Sequence, residues 1–157
     1  MSVAGLTITR ESPLGADLQH LMARHTADMH SETPPESIYM MDASELAVPE
    51  VQFYVMRQDG QPIGMGAINR VDEGVAEIKS MHVLAEHRGT GLSRRMLDHL
   101  IQAARDGGFS QLSLETGIQN MFAPARSLYA KAGFAVCGPF GDYTADPNSY
   151  FMTRSLA

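Results

Sequence analysis

Residues 82–97 join a β-rich segment to a helical one through two glycines, in the stretch HVLAEHRGTGLSRRML. The preceding AEIKSMHVL has the composition of a strand, apolar residues recur at helical spacing after the glycines, and QLSLET follows as a second strand. This order predicts a βαβ crossover, in which the two strands are parallel and the glycine loop lies at the carboxyl end of the first. Ligands bind preferentially at that end of a sheet.

The remaining chain surrounds this crossover with both helices and strands. We expect a strand over residues 5–12, a helix over 14–30, and an irregular stretch with one short helix near 37–46. Turns at Asp59-Gly60 and at residues 72–74 divide a three-stranded antiparallel meander. A helix over 122–133 and two closing strands complete a mixed α/β fold. A length of 157 residues fits one domain, which we assign to residues 1–157.

Composition narrows the class of protein. A net charge of −6 argues against nucleic-acid binding, and no apolar run reaches the length of a membrane span. The amino end lacks the basic and apolar segments of a secretory signal. A lone cysteine, Cys137, excludes a multi-cysteine metal site and an internal disulfide. We therefore expect a cytoplasmic protein without membrane, nucleic-acid or metal partners.

The glycine loop has the chemistry of an anion site. The first amides of a helix lack intrahelical partners and carry the positive end of its dipole. Gly89 and Gly91 allow close approach to the backbone, and Arg88, Arg94 and Arg95 add positive charge. The motifs of a P-loop and of a dinucleotide fold are both missing, so we expect another kind of phosphate ligand. The alternative is that the glycines only shape a tight turn.

The run VLAEHRGTGLSRRMLDHLI, with SLYAKAGF further on, resembles the GNAT superfamily of N-acetyltransferases. Its acetyl-CoA loop reads [Q/R]-x-x-G-x-[G/A], and Arg88, Gly91 and Ser93 hold the three defined positions, the serine being a departure. The resemblance spans nearly the whole chain and implies the GNAT acyl-CoA N-acyltransferase fold. That fold is a central, mostly antiparallel twisted sheet of six to seven strands, flanked by about four helices, with a splayed parallel pair after the glycine loop. The carboxyl-terminal part resembles bacterial small-molecule acetyltransferases.

The resemblance implies acetyl-CoA as co-substrate, with no metal. Loop amides would hold the pyrophosphate, and the β-strand before them would pair with the pantetheine arm. The implied cofactor-binding residues are Met81, His82, Val83, His87, Arg88, Gly89, Thr90, Gly91, Leu92, Ser93 and Arg94. Independently, the alternation of apolar residues slips near Lys79-Ser80, which predicts a β-bulge and a gap between the two parallel strands.

Acetyl transfer needs a neutral amine, and an amine with a pKa of about 10.4 is almost entirely protonated at pH 7. A carboxylate that takes this proton is therefore expected, with Glu77 as first choice and Glu115 as second. Pairing of Glu77 with Lys79 is the structural alternative. By resemblance, Tyr129 is the general acid for the departing thiolate, and the alternative is a packed helix aromatic. Phe122 stands where many members of the superfamily have asparagine.

Two loops are candidates for the acceptor site. Phe140 and Tyr143, in the loop between the closing strands, could wall a pocket, and Glu36 and Asp42 could reach it from the irregular stretch. The acceptor expected is a primary amine of a small molecule. A non-catalytic acyl-CoA or phosphate-ligand binding module and a protein N-terminal or lysine acetyltransferase are the alternatives. A homodimer could form by pairing of closing strands at a sheet edge.

Overall fold

A computed structural model describes residues 4–157, and one twisted sheet of seven strands organises them. The strands are β1 (Leu6–Arg10), β2 (Val51–Gln58), β3 (Gln61–Asp72), β4 (Val75–Val83), β5 (Gln111–Gly117), β6 (Ala135–Cys137) and β7 (Ser149–Ser155). The helices are α1 (Gln19–Glu32), α2 (Ala43–Leu46), α3 (Leu92–Asp106) and α4 (Ala123–Lys131). Residues 1–3 of the predicted domain lie outside the described part.

The strand order is β1-β2-β3-β4-β5-β7-β6, and every neighbouring pair is antiparallel except β4 and β5. These two are parallel and are connected by α3, which confirms the predicted crossover. The predicted hairpins are confirmed as well: Asp59 and Gly60 both have positive φ (50° and 86°), and Gly74 (φ 72°) closes the second turn. The mixed, mostly antiparallel architecture expected from the sequence is therefore present.

Helix α3 packs on one face of the sheet because its apolar residues form a single stripe. Leu92, Met96 and Leu100 belong to this stripe and are buried against β3 and β4. The packing is close at Gly66 of β3, where an added Cβ would lie 3.0 Å from Leu100 Cδ1. This contact fixes α3, and with it the glycine loop at its amino end, relative to the sheet.

The opposite face carries α1, α2 and a smaller core centred on Leu18, Leu21 and Phe53. Helix α1 begins at Gln19, after a 3-10 turn at Ala16–Leu18, and ends at Glu32, so it starts five residues later and ends two residues later than predicted. The short helix expected over 37–46 covers only Ala43–Leu46, preceded by a 3-10 turn at Pro35–Ser37. The helix begins this late because Asp42 has extended backbone and caps it by accepting the Glu45 amide.

Strands β1 and β6 form the two edges of the sheet. Val136 of β6 is exposed, but the strand is only three residues long. A homodimer through this edge stays a prediction. Within residues 4–157, none of the helices is both long and apolar enough to cross a membrane. The same residues contain no cluster of three or more His, Cys, Asp or Glu side chains placed to hold a metal ion.

Candidate functional site

The parallel strands β4 and β5 separate soon after they begin. They are paired only from Val75 to Glu77 and from Gln111 to Ser113. Ser80 has a φ of 55°, and the pairing of β3 with β4 shifts between Met65 and Ala67 at the same level. The predicted β-bulge near Lys79-Ser80 is thus confirmed, and it turns β4 away from β5.

A cleft of about 460 Å³ occupies the resulting gap, and we call it the central cleft. Its walls are β4 from Ile78 to Val83, β5 from Leu114 to Thr116, the carboxyl end of α1, the glycine loop, and α4 with the turn before it. Such a volume lies in the range of small-molecule sites.

The glycine loop presents free backbone donors at one end of the central cleft. Gly89 (φ 80°) and Gly91 (φ 83°) both have left-handed backbone, and a Cβ added to either would meet open space. Gly91 caps α3 without a side-chain hydrogen bond. Within the described chain, the amides of residues 89–94 have no hydrogen-bond partner. These donors and the helix dipole form an anion-binding site in physical terms.

The structure brings most of the predicted cofactor-binding residues to the central cleft. Those that line it are Met81, His82, Val83, Arg88, Gly89, Gly91, Ser93 and Arg94. The other three lie in the loop or under it. His87 ends a 3-10 turn, the Thr90 hydroxyl donates to the His87 carbonyl (3.0 Å), and Leu92 is buried in the core.

Arg88 is directed toward β4 and α1 rather than toward the loop amides. Its Nε donates to the Val83 carbonyl (2.7 Å) and its Nη2 to Asp28 Oδ2 (3.1 Å). The guanidinium therefore fastens the glycine loop to the end of β4 and to α1. In this arrangement the Val83 carbonyl, predicted to pair with a pantetheine arm, already accepts a hydrogen bond.

Two histidines form an uncharged part of the cleft wall beside Asp28. The rings of His25 and His82 are 5.2 Å apart, and burial lowers the pKa of each to about 4. His82 Nδ1 lies 3.9 Å from Asp28 Oδ2, which is too far for a hydrogen bond. His82 Nε2 is buried and has no hydrogen-bond partner within residues 4–157. At neutral pH both rings are neutral.

Glu77 belongs to a buried polar cluster with Lys79 and Tyr143. The Tyr143 hydroxyl donates to Glu77, and Lys79 Nζ lies 3.3 Å from Glu77 Oε2 and 2.7 Å from the Tyr143 oxygen. Burial, followed by the nearby Glu77 charge, raises the pKa of Tyr143. Glu77 and Tyr143 line a second cleft of about 440 Å³. The first-choice base therefore forms the ion pair with Lys79 that sequence reasoning held as its alternative.

Glu115 and Tyr129 both face the central cleft. Burial raises the pKa of Glu115 to about 7 and that of Tyr129 to about 12. The Tyr129 ring packs edge-on against Phe134 (5.8 Å between centroids), and its hydroxyl has no hydrogen-bond partner in the part of the chain described. At neutral pH the site thus holds a carboxyl group that can gain or lose a proton and a phenol that stays protonated.

The turn before α4 is packed tightly around Phe122. A Cβ on Gly117 would lie 2.4 Å from Phe122 Cδ2, so only glycine fits beneath this ring. Arg126 of α4 donates to the carbonyls of Gly117 (2.7 Å) and Gln119 (3.1 Å). Phe122 lines the central cleft, whereas Asn120 is exposed. An aromatic ring therefore occupies the wall where the superfamily often has an amide.

The loop between β6 and β7 is tied to the irregular stretch after α1 through Asp146. Asp146 accepts hydrogen bonds from Tyr39, from Ser37 Oγ (3.0 Å) and from the Asn148 amide (2.8 Å). Hydrogen bonding to Tyr39 lowers the pKa of Asp146, so the carboxylate stays charged. These contacts connect the two segments that sequence analysis named for the acceptor site.

The four predicted acceptor residues have different environments. The Phe140 ring packs against Tyr143 (5.1 Å) and Phe151 (5.9 Å), and Tyr143 also contacts Tyr39 (5.4 Å). Glu36 is exposed on the 3-10 turn. Asp42 accepts from the Glu45 amide (2.8 Å) in a capping box at the start of α2.

Sequence reasoning did not identify several residues of the site. Lys79 was considered only as a partner of Glu77, and Tyr39, Asp28 and Asp146 were not singled out. Tyr39 lies in an irregular stretch without periodicity, and Asp28 is one more polar residue on an amphipathic helix. Asp146 precedes a proline in a loop, where an Asx turn is the usual interpretation. The long-range contacts of these residues span 40 to 109 positions of the sequence, and no local pattern reports contacts at such separations.

Comparison with known proteins agrees with this geometry. The model of the Acetyltransferase (GNAT) family matches residues 18–134. A Bacillus subtilis protein named uncharacterized N-acetyltransferase YsnE is 40% identical over 142 residues, covering 90% of this chain and 94% of that protein. An Azospirillum brasilense protein named IAA acetyltransferase is 41% identical over 155 residues, covering 96% and 98%.

Among solved structures, a Klebsiella pneumoniae protein named putative acyl-CoA N-acyltransferase superimposes with a TM-score of 0.78 at 30% identity, covering 98% of this chain and 99% of that one. The family match, the relatives and the splayed β4–β5 pair agree with each other. The chain therefore belongs to the GNAT family of acetyltransferases and is an acyltransferase.

Proposed function

We propose that this protein transfers the acetyl group of acetyl-CoA to the primary amine of a small molecule, by direct attack of the amine on the thioester. The observation that carries the proposal is the row of unpartnered amides at residues 89–94, next to two glycines that face open space. A diphosphate is the kind of anion that such a row of donors can hold. The gap between β4 and β5 continues from this point toward Glu115 and Tyr129.

In the proposed complex, the loop amides bind the pyrophosphate, and Arg88 holds the loop in place through Asp28 and Val83. Backbone groups of β4 near Met81 lie along the pantetheine arm. The Val83 carbonyl has a second lone pair, so it can accept a hydrogen bond from the arm while Arg88 stays bound to it. Acetyl-CoA supplies the activated acetyl group, and the residues of the chain position the amine and manage the protons.

Glu115 is the base that the site favours over Glu77. It faces the same cleft as Tyr129, and a pKa of about 7 suits proton transfer near neutral pH. Glu77 already accepts a hydrogen bond from Tyr143 and contacts Lys79. The amine nitrogen forms a bond to the carbonyl carbon, the carbon–sulfur bond breaks, and the amine proton passes to Glu115.

Tyr129 assists departure of the sulfur as a hydrogen-bond donor. Its pKa of about 12 makes it a weaker acid than a thiol of pKa about 8.5, so complete proton transfer to the thiolate is uphill. The phenol remains protonated and stabilises the developing negative charge, as a donor in an oxyanion hole does. The thiolate leaves and takes its proton from solvent.

A small acceptor is favoured because the loop between β6 and β7 covers the part of the site predicted to bind the acceptor. The loop between β6 and β7 is fastened to residues 37 and 39 by Asp146, and aromatic rings fill the space under it. An extended peptide would need an open groove at this place. A protein N-terminal or lysine acetyltransferase is therefore the less favoured alternative.

Calorimetry with acetyl-CoA and CoA, followed by thiol-release assays over an amine library, tests the proposal. Binding and turnover are expected, and Tyr129→Phe should lower kcat by about 10²-fold with CoA affinity unchanged. Tyr150→Phe is the matched control, because Tyr150 packs beside the core and its ring contact with Arg126 survives the change. Tight binding without any turnover would identify a non-catalytic binding module, and preferred turnover of peptides would identify a protein acetyltransferase.

A further inference from the structure

The charged side chains that line the central cleft are nearly all neutralised within the protein. Arg88 pairs with Asp28 (3.1 Å) at the loop end, and Arg94 pairs with Asp98 (2.9 Å) on the exposed side of α3. Each arginine charge is compensated by its aspartate, so neither pair offers an unpaired charge to an acceptor molecule. The two remaining charged groups, Lys79 and Glu115, lie on β4 and β5 beside the gap.

Lys79 has no donor left for a substrate carboxylate. Its ammonium group contacts three oxygens: the Tyr39 carbonyl (2.7 Å), the Tyr143 hydroxyl (2.7 Å) and Glu77 Oε2 (3.3 Å). An ammonium has three N–H donors, so all of them are used. The side chain is only 12% exposed. Binding a substrate carboxylate here would require breaking a buried ion pair, which is costly.

Glu115 is the one charged group of the cleft lining that forms no salt bridge within residues 4–157. A single carboxyl group in a largely buried setting can compensate one ammonium group. A second ammonium group on the acceptor would find no partner, and an unpaired charge is expensive to bury. The cleft is therefore matched to an acceptor with one amine and no other charge.

The uncharged wall of the cleft is rich in methionine. Met29 of α1, Met40 of the irregular stretch, Met81 of β4 and Met121 of the turn before α4 all line it, as does Phe122. Methionine side chains adapt to irregular apolar shapes, and their sulfur atoms make favourable contacts with aromatic rings. Four elements thus contribute the same kind of contact to one space.

We propose that the acceptor is a small monoamine with an apolar, ring-containing body and no carboxylate, its amine directed to Glu115 and its body held among Met29, Met40 and Met121. This inference rests on the proposed acetyltransferase function and specifies the substrate class of the same site. The proposal excludes amino acids, polyamines and amino sugars as preferred acceptors. Each of these carries an additional charge or several hydroxyl groups, for which the apolar, methionine-rich wall has no polar partner.

A matched set of amines tests this assignment by thiol release at saturating acetyl-CoA. Phenylethylamine is compared with phenylalanine, which adds a carboxylate to the same body, and with 1,4-diaminobutane and glucosamine. We expect kcat/KM for phenylethylamine to exceed each of the others by at least about tenfold. Equal or faster turnover of any of the other three overturns the inference while leaving the acetyltransferase function intact. No turnover of any amine removes both.

Two variants on one helix test the role of the methionine wall. Met29→Gln should raise KM for phenylethylamine and narrow its advantage over glucosamine, with the calorimetric Kd for CoA unchanged. Met22→Gln is the control, because Met22 lies on the same helix and packs against the core without lining the cleft. If both variants change the amine preference equally, or neither does, the methionine wall does not select the acceptor.

Discussion

Glu115→Gln should make the stability of this protein less dependent on pH. The wild-type carboxyl is largely buried, and burial raises its pKa to about 7 from the ordinary 4.5. Between these two values the folded state holds a proton that the unfolded state has released. Stability from this group is therefore complete below pH 4.5 and is lost as the pH rises through 7. Glutamine has nearly the same shape and carries no such proton.

The size of the effect follows from the pKa difference. One pKa unit corresponds to about 1.4 kcal/mol, so the shift is worth roughly 3 kcal/mol once the folded carboxyl is ionised. Part of this penalty already operates at pH 5, where the unfolded carboxyl is mostly ionised. Between pH 5 and pH 8, the wild type should therefore lose roughly 2–3 kcal/mol more of its unfolding free energy than Glu115→Gln does.

Urea unfolding at pH 5 and pH 8 measures this difference directly. The change in unfolding free energy from pH 5 to pH 8 is determined for each protein, and the value for Glu115→Gln is subtracted from that for the wild type. The contributions of all other titrating groups cancel in this subtraction, provided that the m-values of the two proteins agree. Glu73→Gln, at an exposed position of the β3–β4 turn, is the control for the chemical change itself. If wild type and Glu115→Gln lose the same stability over this range, Glu115 is not a carboxyl group of raised pKa, and the reasoning that makes it the base fails.

Three further outcomes follow from the geometry. Gly91→Ala and Gly60→Ala both place a Cβ on left-handed backbone in open space, so each should lower the free energy of unfolding in urea by about 1 kcal/mol. Calorimetry should find weakened CoA binding only for Gly91→Ala. Asp146→Ala removes the tie between the two acceptor-side segments and should raise KM for the amine roughly tenfold, as for loss of about 1.4 kcal/mol, with Kd for CoA unchanged. Leu100→Ala leaves a cavity between α3 and β3 and should cost roughly 2–5 kcal/mol, read from the urea midpoint. Equal CoA affinity in the two glycine variants would contradict the first argument. An unchanged KM for the amine in Asp146→Ala would contradict the second, and a stability loss below about 1 kcal/mol in Leu100→Ala would contradict the third.

The crossover and its ligand loop could be predicted because their signals are local. The apolar stripe of α3, the strand before it and the two glycines lie within about 30 residues, and each agrees with the others. The bulge was also visible, since the alternation of apolar residues along β4 changes phase at Ser80. These features depend on backbone geometry, which neighbouring residues determine.

The sequence alone could not show that Glu115, and not Glu77, is the better placed candidate for the general base. Both carboxylates lie on strands beside the gap, and their difference depends on Tyr143, which is 66 residues from Glu77. The same applies to the fastening of Arg88 by Asp28, 60 residues away. Such contacts form only when loops meet over the sheet, so spacing along the chain carries no information on them.

The brief pairing of β4 with β5 has a consequence for how this molecule opens. Strands β1–β4 and strands β5, β7 and β6 are two half-sheets, and within residues 4–157 the ladder between them joins residues 75–77 to 111–113, with Gly74 accepting from the Ser110 and Gln111 amides beside it. Separation of the half-sheets beyond this seam breaks few backbone hydrogen bonds, so we expect amide protons near Met81 and Glu115 to exchange with deuterium sooner than those in the centre of β3. A molecule bound between the half-sheets would slow this exchange on both strands together.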